Sequence, residues 1–420
     1  MKICIIGLGY VGLPLAHAFS EKFEVVGFDI NETRIDELNA GFDRTLELSS
    51  SQMQEFLTNR VTFTTSQKDI QTSDIYIVTV PTPIDKDNRP DLTPIIKSTQ
   101  IISSVLSKEN IVIYESTVYP GVTEDVCVPI LEEGSGLEFN KEFFCGYSPE
   151  RINPGDKKNT LKNILKITSG STKEIAQKVD DLYSSIIDAG TYMAPSIKVA
   201  EAAKVIENTQ RDVNIALINE LSMIFDLMDI DTNAVIEAAA TKWNFIKLTP
   251  GLVGGHCIGV DPYYLTHKAQ SLGYSPNLIL NARQINNAMS KLVADKTIKY
   301  MIKEGKNLRD ANVLILGVTF KENCPDMRNS KVLDIISELE EFGTNVDVYD
   351  YMIDSRDKIN FKLNYLDKLP YNKKRYEAII VAVAHNKFKS ITSEEYKSFS
   401  LNKPILIDVK GIVENPTWRL

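Results

Sequence analysis

The glycine pattern G-x-G-x-x-G at residues 7–12, directly after a short apolar run at residues 2–6, constrains the fold more than any other feature. An apolar run of this length is typical of a buried parallel strand. A helical pattern follows at residues 13–20, and residues 24–29 predict a second strand that ends in Asp29. Together these features predict the first strand–turn–helix–strand unit of a doubly wound α/β fold.

This unit is typical of dinucleotide binding. Its glycines permit a tight turn and a close approach of the pyrophosphate, and the helix N-terminus supplies free N–H groups. Asp29 follows Gly9 by about 20 residues, where a carboxylate holds the ribose hydroxyls of NAD. The alternative is a generic glycine turn in an α/β fold. The candidate cofactor-binding residues of this unit are Gly7, Gly9, Tyr10, Val11, Gly12, Asp29 and Arg34.

The preference between NAD and NADP follows from Asp29. A carboxylate at this place repels a 2′-phosphate, so the sequence favours NAD. Arg34 is the exception in the pattern, because its side chain could face such a phosphate.

Polar loops follow three further predicted strands, which are residues 74–80, 110–114 and 142–147. Ligands of open α/β sheets bind outside the carboxyl ends of the strands, so Thr82 and Thr117 are candidates to contact the cofactor. Glu150 and Arg151, an acid and a base at one strand end, suggest a site. The alternatives are ordinary turn chemistry for the threonines and a surface ion pair for Glu150 and Arg151.

A long helix is predicted over residues 196–230, between two α/β halves. It suits a connector and a dimer interface. One face carries Lys204, Asn208 and Arg211, and the first two project together because they are four residues apart. A solvated surface lysine is the alternative interpretation of Lys204.

The segment 250–262 is the most unusual stretch of the chain, because it contains four glycines. Such a segment is a poor helix interior, and it lets the backbone wrap a ligand closely. Cys257, four residues before Asp261, is a candidate nucleophile. The alternative is a small buried hydrophobic residue, which is the usual state of a free cysteine.

A second α/β pattern begins near residue 305, with strands predicted at 311–317, 346–350, 378–384 and 404–408 and a helix at about 329–342. Its first turn, residues 317–321, lacks the second and third glycines of the dinucleotide pattern. It therefore fits a mononucleotide, with Phe320 against a base or sugar and Lys321 against a phosphate.

Composition excludes several classes of protein. The 420 residues carry a net charge of −9 without a dense basic run, which argues against a nucleic-acid partner. No apolar run approaches the ~18–20 residues of a membrane span, and the apolar N-terminal run is too short for a signal peptide. Five cysteines without a C-x-x-C pair and four scattered histidines argue against a disulfide framework or a metal site. We expect a cytoplasmic enzyme.

In this order the motifs resemble the UDP-glucose/GDP-mannose dehydrogenase family over nearly the whole chain. The matching positions are residues 7–12, 80–83, 115–117, 148–151 and 254–257, with Lys204, Asn208, Phe320, Lys321 and Arg328. The loop 254–264 most resembles the branch that acts on UDP-N-acetylhexosamines, as in capsule and O-antigen synthesis. His256 and Val260 stand where the UDP-glucose branch typically has serine and lysine.

The resemblance implies an α/β architecture of two Rossmann-like doubly wound domains, joined by a long central helix and a helical dimerisation region. The expected boundaries are 1–195 for NAD binding, 196–300 for the central domain with the cysteine loop, and 301–420 for UDP-sugar binding. The expected partners are a UDP-N-acetylhexosamine and further copies of this chain, in a homodimer or a higher homo-oligomer.

The resemblance also implies a four-electron oxidation of the sugar C6 alcohol to a carboxylate, with two NAD per sugar. In this scheme Cys257 adds to the C6 aldehyde, and the resulting thiohemiacetal is oxidised to a thioester. Lys204 and Asn208 stabilise the oxyanion, and Asp261 takes protons directly or through water.

The remaining roles are carried over from the family by position. Glu150 resembles the carboxylate that activates the hydrolytic water, and Thr117 resembles the residue that holds a water near the nicotinamide. Arg328 matches a position that reaches NAD. The expected UDP-sugar contacts are Arg151, Lys204, Asn208, Arg211, Gly254, Phe320, Lys321 and Lys410.

Several functions stay open at this point. UDP-GlcNAc or UDP-GalNAc is the preferred substrate, and UDP-ManNAc and UDP-glucose are alternatives. A two-electron dehydrogenase of the hydroxyacid type would not need Cys257. A nucleotide-sugar sensor that has kept the fold is the alternative outside the enzymes.

Overall fold

The computed structural model describes residues 1–152, 160–255, 257–353, 361–373 and 375–420. These residues form two compact units, one of Met1–Glu207 with Tyr263–Ser275 and the other of Asn208–Pro262 with Pro276–Leu420. His256, which the sequence singles out as a departure from the UDP-glucose branch, lies outside the described residues.

A six-stranded parallel sheet organises the first unit. Its strands are β1 (Lys2–Ile6), β2 (Glu24–Phe28), β3 (Val61–Thr64), β4 (Ile75–Val78), β5 (Ile111–Tyr114) and β6 (Phe144–Tyr147), in the order β3-β2-β1-β4-β5-β6. Side chains alternate along β1, so Ile3 and Ile5 enter the core on one face and Cys4 and Ile6 the core on the other. Burial on both faces explains why the strand reads as a continuous apolar run.

Helices cover both faces of this sheet. They are α1 (Gly12–Ser20), α2 (Glu32–Asn39), α3 (Ser50–Thr58), α4 (Thr93–Ser103), α5 (Val128–Ser135) and α6 (Lys173–Ser184). A separate parallel pair, β7 (Lys166–Thr168) and β8 (Thr191–Met193), flanks α6.

Four helices make up the middle of the chain: α7 (Ile197–Leu227), α8 (Thr232–Ala239), α9 (Asp261–Ser271) and α10 (Asn277–Lys303). The 31 residues of α7 confirm the long central helix that the sequence predicts over 196–230. The boundary between the two units falls inside α7, after Glu207.

A second six-stranded parallel sheet organises the other unit. Its strands are β9 (Asn312–Leu316), β10 (Asn345–Tyr349), β11 (Asn364–Tyr365), β12 (Tyr376–Val381), β13 (Ser400–Asp408) and β14 (Trp418–Arg419), in the order β11-β10-β9-β12-β13-β14. The helices α11 (Lys331–Glu341) and α12 (Ser393–Phe399) pack with it. Counted within each unit, both sheets have the order 3-2-1-4-5-6, which confirms two Rossmann-like domains.

Among the described residues, no helix combines the length and the apolar character needed to cross a membrane. The same residues bring together no group of three His, Cys, Asp or Glu side chains that could hold a metal ion.

Candidate functional site

The first glycine turn connects β1 to α1, and its glycines have different roles. A Cβ on Gly12 would lie 1.9 Å from the carbonyl oxygen of Gly7 and 2.5 Å from Thr79 Oγ1, so the packing of the turn requires glycine there. A Cβ on Gly9 would meet no atom within 4 Å. Gly9 therefore faces open space, which leaves its backbone accessible to a ligand.

Asp29 stands beside this turn, at the end of β2. Its Oδ2 accepts the backbone N–H of Leu8 at 2.8 Å, and its Oδ1 accepts that of Asn31 at 2.9 Å. The carboxylate is partly exposed. Because each carboxylate oxygen has two acceptor positions, both oxygens keep one for a ribose hydroxyl. Together with the space at Gly9, this geometry fits NAD.

Arg34 supports the turn from within the protein. Its Nε donates to the carbonyl oxygen of Leu8 at 2.8 Å, and its Nη2 pairs with Asp43 at 2.9 Å. Burial alone would raise the pKa of Asp43, but hydrogen bonds from Thr45 and Leu48 and the charge of Arg34 lower it overall. The guanidinium is thus buried rather than directed at solvent, and its Nη1 has no hydrogen-bond partner among the described residues.

The loops after β4 and β5 are tied together at the carboxyl edge of the first sheet. Ser116 Oγ donates to the carbonyl oxygen of Val80 at 2.6 Å, and Tyr147 donates to that of Ser116 at 3.2 Å. These bonds fix the two loops that carry Thr82 and Thr117, both of which are partly exposed. The contacts of these threonines with a cofactor stay predictions.

Glu201, which no sequence pattern indicated, fixes the far end of the loop after β5. Its buried carboxylate accepts the Thr123 hydroxyl at 2.7 Å and the backbone N–H groups of Gly121 and Thr123. Burial raises the pKa of Glu201, although these hydrogen bonds oppose the shift. An acid inside the apolar stretch at the start of the central helix was the available signal.

Glu150 belongs to a buried ionic cluster. Lys166 Nζ lies 2.7 Å from Glu115 Oε2 and 3.2 Å from Glu150 Oε2, and the Tyr183 hydroxyl donates to Glu115 Oε1. Burial raises the pKa of Glu115 to about 7, against the opposing charge of Lys166. Burial alone would lower the pKa of Lys166, but the two carboxylates raise it overall. The partner of Glu150 is therefore Lys166, a residue that no sequence pattern indicated.

Arg151, the neighbour of Glu150, points elsewhere. Its Nη2 pairs with Glu207 at 2.9 Å, and its Nη1 donates to the carbonyl oxygen of Leu165 at 2.8 Å. The surface ion pair between Glu150 and Arg151, which was the alternative to a site, does not form, because each side chain pairs with another residue. A contact of Arg151 with substrate stays a prediction.

Lys204 is buried in α7, with 8% of its surface exposed, so it is no solvated surface lysine. Within the part of the chain that the structure describes, no hydrogen bond or ion pair of its ammonium group occurs. Lys204 is largely buried without a counter-charge among these residues, and its Nζ keeps some accessible surface, so Lys204 is suited to meet an anion. Arg211, farther along α7, is exposed.

The cysteine loop leads directly into α9. The backbone N–H groups of Asp261 and Val260 donate to the carbonyl oxygen of Cys257 at 2.8 and 3.0 Å, so Cys257 begins the turn that directly precedes the helix. Asn208 Nδ2 donates to the buried Asp261 Oδ2 at 2.6 Å. The structure thus brings together three of the predicted catalytic residues: Cys257, Asp261 and Asn208.

The five cysteines differ in exposure. Cys257 is partly exposed, and Cys4, Cys127, Cys145 and Cys324 are buried. Burial raises the pKa of Cys127 to about 12 and that of Cys145 well above its usual value, so these thiols are unreactive. Exposure therefore favours Cys257 as the nucleophile over the small buried hydrophobic residue that was its alternative.

Phe320 lies against the cysteine loop. Gly255 has φ +81°, and a Cβ there would lie 2.7 Å from the Phe320 ring. A Cβ on Gly254 would lie 2.5 Å from the carbonyl oxygen of Asn329. The two glycines therefore allow the loop to pack against the turn after β9.

A cleft of the second unit joins several of the predicted UDP-sugar contacts, and its lining includes Gly254, Phe320, Lys321, Lys331 and Lys410. The charges of Lys410 and Lys321 lower the pKa of Glu322, although burial alone would raise it. Three lysines thus line one cleft together with Glu322, and the lysines are the groups that a phosphate would pair with. Arg328, expected to reach NAD, is mostly exposed and pairs with Asp326 at 2.6 Å.

An acid–histidine pair that the sequence did not indicate holds the turn after β9. Asp350 Oδ2 accepts the backbone N–H of Val318 at 2.8 Å and lies 3.1 Å from His385 Nε2. His385 Nδ1 accepts the N–H of Asn323 at 2.9 Å, so we assign the proton to Nε2. Burial alone would raise the pKa of Asp350, but its hydrogen bond with His385 and backbone donors lower it.

Family models cover most of the chain. Residues 1–187 match the NAD binding domain of the UDP-glucose/GDP-mannose dehydrogenase family. Residues 198–288 match the central domain of that family, and residues 314–415 match its UDP binding domain.

Individual relatives agree with these models. The chain is 54% identical to a UDP-N-acetyl-D-glucosamine 6-dehydrogenase of Pseudomonas aeruginosa over 99% of this chain and 97% of the relative. It is 51% identical to the protein CapL of Staphylococcus aureus over 100% of this chain and 99% of the relative. The solved structure of a UDP-D-ManNAc dehydrogenase from Pyrococcus horikoshii superposes with a TM-score of 0.88 at 30% identity, covering 99% of this chain and 97% of that one. The chain therefore belongs to the UDP-glucose/GDP-mannose dehydrogenase family.

Proposed function

We propose that this protein oxidises the C6 hydroxyl of a UDP-N-acetylhexosamine to the carboxylate, with NAD as the oxidant, for the synthesis of a surface polysaccharide. The observation that carries the proposal is the partly exposed Cys257 at the start of α9, beside the pair formed by Asn208 and Asp261. A two-electron alcohol oxidation needs no nucleophile, whereas the aldehyde can release a second hydride only after a nucleophile has added to its carbonyl carbon. Cys257 is suited to be that nucleophile.

UDP-GlcNAc is the substrate that the comparisons favour. The relative at 54% identity is named for N-acetylglucosamine, whereas the structure named for ManNAc shares only 30% identity. The alternative substrates that the experiment must test are UDP-GalNAc, UDP-ManNAc and UDP-glucose. The kinship with CapL supports a role in capsule-type polysaccharide synthesis.

The glycine turn and Asp29 hold the cofactor in this proposal. Gly9 leaves room for the pyrophosphate, and Asp29 offers the acceptor positions for the ribose hydroxyls. NAD supplies the hydride acceptor for both oxidations when it is bound. The predicted contributions of Thr82, Thr117 and Arg328 to this site are part of the proposal.

Cys257 carries the sugar between the two oxidations. Its thiolate sulfur forms a bond to the C6 aldehyde carbon as the carbonyl π bond opens, and the buried Lys204 and the partly exposed Asn208 stabilise the resulting oxyanion. The proton that the thiol lost returns to this oxygen and completes the thiohemiacetal. Asp261 takes the proton that the hydroxyl loses as the adduct becomes a thioester. Water then adds to the thioester carbon, and Glu150 accepts its proton as the carbon–sulfur bond breaks.

The count of NADH formed per sugar consumed tests the proposal. We expect two NADH per UDP-GlcNAc and little turnover of UDP-ManNAc or UDP-glucose. A Cys257→Ser variant should stall at the aldehyde level, and Cys324→Ala, a buried cysteine of the same unit, should keep the count of two. One NADH per sugar in the unaltered protein would favour the two-electron dehydrogenase, and binding without any NADH would favour the sensor.

The middle of the chain is the proposed contact between copies in a homodimer. Exposed apolar side chains occur there at Leu227, Met228, Trp243 and Ile246, and Trp243 is 92% exposed. Sedimentation velocity of a Trp243→Glu variant tests this, since a dimer through another surface would survive the change. The domain boundaries at 195 and 300 and the cytoplasmic location stay predictions.

A further inference from the structure

The carboxylate of Glu150 has little hydrogen-bonding capacity left. Its Oε1 accepts the backbone N–H groups of Arg151 and Ile152, and its Oε2 accepts Lys166 Nζ at 3.2 Å. A carboxylate offers about four acceptor positions. Counting all donors among the described residues, one position stays open, and it belongs to Oε2, the oxygen bound to Lys166.

Lys166 is in turn held from its other side. Its ammonium group lies 2.7 Å from Glu115 Oε2 and 5.2 Å from the centre of the Tyr183 ring. The Tyr183 hydroxyl donates to the second oxygen of Glu115, and the backbone N–H of Glu150 donates to the carbonyl oxygen of Glu115 at 3.4 Å. Four elements of the first unit, at the ends of β5 and β6 and in β7 and α6, thus contribute to one buried cluster.

Stability alone is a weak reason for such a cluster. Removing ions from water is expensive, and well-packed apolar residues of similar volume often replace a buried ion pair without loss of stability. Glu115 and Lys166 are at most 3% exposed, so their desolvation is nearly complete. Lys166 binds Oε2 of Glu150, the oxygen with the open acceptor position, and Glu115 holds Lys166 there. This arrangement points to a role in the reaction of Glu150.

We propose that Glu115, Lys166 and Tyr183 are positioning residues for the hydrolytic step, because they fix Glu150 with one acceptor position of Oε2 open to the attacking water. This inference rests on the proposed function. In the step, the water oxygen bonds to the thioester carbon, one water proton passes to Glu150 Oε2, and the carbon–sulfur bond breaks to release the Cys257 thiolate. No electrons leave or enter the system.

Glu115→Gln is the decisive variant, because glutamine keeps the shape of the side chain and removes its charge. The positive charge of Lys166 then acts on Glu150 alone and weakens it as a base. We expect thioester hydrolysis to slow by about tenfold, because the variant weakens the general base without removing it, and general base catalysis contributes about 10²–10⁴-fold in all. Tyr183→Phe, which removes one hydroxyl, should slow it by about threefold and tests the same network if Glu115→Gln does not fold.

The readout must separate hydrolysis from the two oxidations. In a single turnover, the rates of NADH formation in both variants should equal those of the unaltered protein. In the steady state, mass spectrometry should find more enzyme acylated at Cys257, and turnover should fall accordingly. Lys162→Met is the matched control, because it breaks an exposed ion pair with Glu21 in the same unit and should change nothing.

The pH profile adds a measurement that a merely structural role would not move. Among the described residues, the charged and titratable groups that face Glu150 are Lys166 of β7, Glu115 of the β5 end and, through Glu115, Tyr183 of α6. In Glu115→Gln the pH dependence of the hydrolysis rate should change near neutral pH, because Glu115, whose pKa burial raises to about 7, no longer titrates beside Lys166.

Two failures are distinguishable. If the unaltered protein forms one NADH per sugar, the proposed function is wrong, whatever the variants do. If it forms two, and Glu150→Gln accumulates the thioester, then unchanged hydrolysis in Glu115→Gln and Tyr183→Phe overturns this inference alone. Equal slowing of oxidation and hydrolysis, with an unshifted pH profile, overturns it as well.

Discussion

The two parallel sheets of this protein share a strand order and a way of holding their first turn, but they leave different groups open. In the first unit Asp29 accepts the backbone N–H of Leu8 at 2.8 Å, and in the second unit Asp350 accepts that of Val318 at the same distance. Both acids follow the second strand of their sheet. The shared contact belongs to the scaffold, and it is independent of the ligand.

What surrounds each acid differs. Asp29 is partly exposed and keeps acceptor positions for a ligand, whereas Asp350 is 4% exposed and faces His385. Near the second turn, Phe320 and a cluster of lysines line the cleft. The same arrangement of strands therefore binds two different nucleotides. A few side chains determine whether hydrogen-bond acceptors or cations are available to the ligand.

The largest expected effect comes from the two glycines of the first turn. Gly12→Ala places a Cβ 1.9 Å from the carbonyl oxygen of Gly7, so we expect a loss of stability at or above the ~1–3 kcal/mol of ordinary overpacking, and no NAD binding. Gly9→Ala should keep the melting temperature and weaken NAD binding by at least about tenfold. Thermal unfolding and calorimetric titration measure both, and an unaltered melting temperature in Gly12→Ala would contradict the packing argument.

Two variants, one in each unit, test whether the first sheet binds NAD and the second binds UDP. Asp29→Ala should weaken NAD binding by about tenfold and leave UDP binding unchanged, because one charged hydrogen-bonding group is lost. Phe320→Leu should do the opposite. Titration of each variant with NAD and with UDP measures the four affinities. If either variant weakened the binding of NAD and UDP equally, the assignment of one ligand to each sheet would be wrong.

The smallest expected effect concerns the stability that the buried acid contributes. Because the pKa of Asp350 is lower in the folded protein, its ionised form stabilises the fold at pH values above its ordinary pKa of about 3.9. This contribution disappears as the pH falls through the lowered folded-state value. Asp350→Asn should therefore lower the melting temperature by a few degrees at pH 7, and the deficit should shrink below pH 4.

Asp29→Asn is the control for that series, since Asp29 occupies the matching position in the more exposed setting. Its melting temperature should stay closer to that of the unaltered protein across the same pH range. If the loss of melting temperature in Asp350→Asn did not change with pH, the asparagine would destabilise the fold through its shape and not through the lost charge.

Strands buried on both faces were predictable, because their apolar runs are local: residues 2–6 and 24–29 correspond to β1 and β2. β3 (Val61–Thr64) escaped, since a four-residue edge strand with two threonines carries no such run. It completes the first sheet nevertheless.

The residues that support the site were harder to predict than the residues named in motifs. Lys166 meets Glu115 across 51 positions of the chain, and His385 meets Asp350 across 35. No regular spacing in the sequence marks such pairs, because only the fold brings the two residues together. Lys204 was ambiguous for a related reason: only its burial distinguishes it from a surface lysine.

The uneven exposure of the five cysteines has a consequence for life in an oxidising environment. A peroxide that reaches this protein meets one accessible thiol, Cys257, because the other four are buried. If Cys257 is the nucleophile that we propose, oxidation of its sulfur to the sulfenic acid would stop sugar acid formation, and a thiol reductant would restore it. In the proposed mechanism the sugar nucleotide binds over Cys257 and shields it, so that mechanism makes the enzyme most sensitive to oxidants when no substrate is bound.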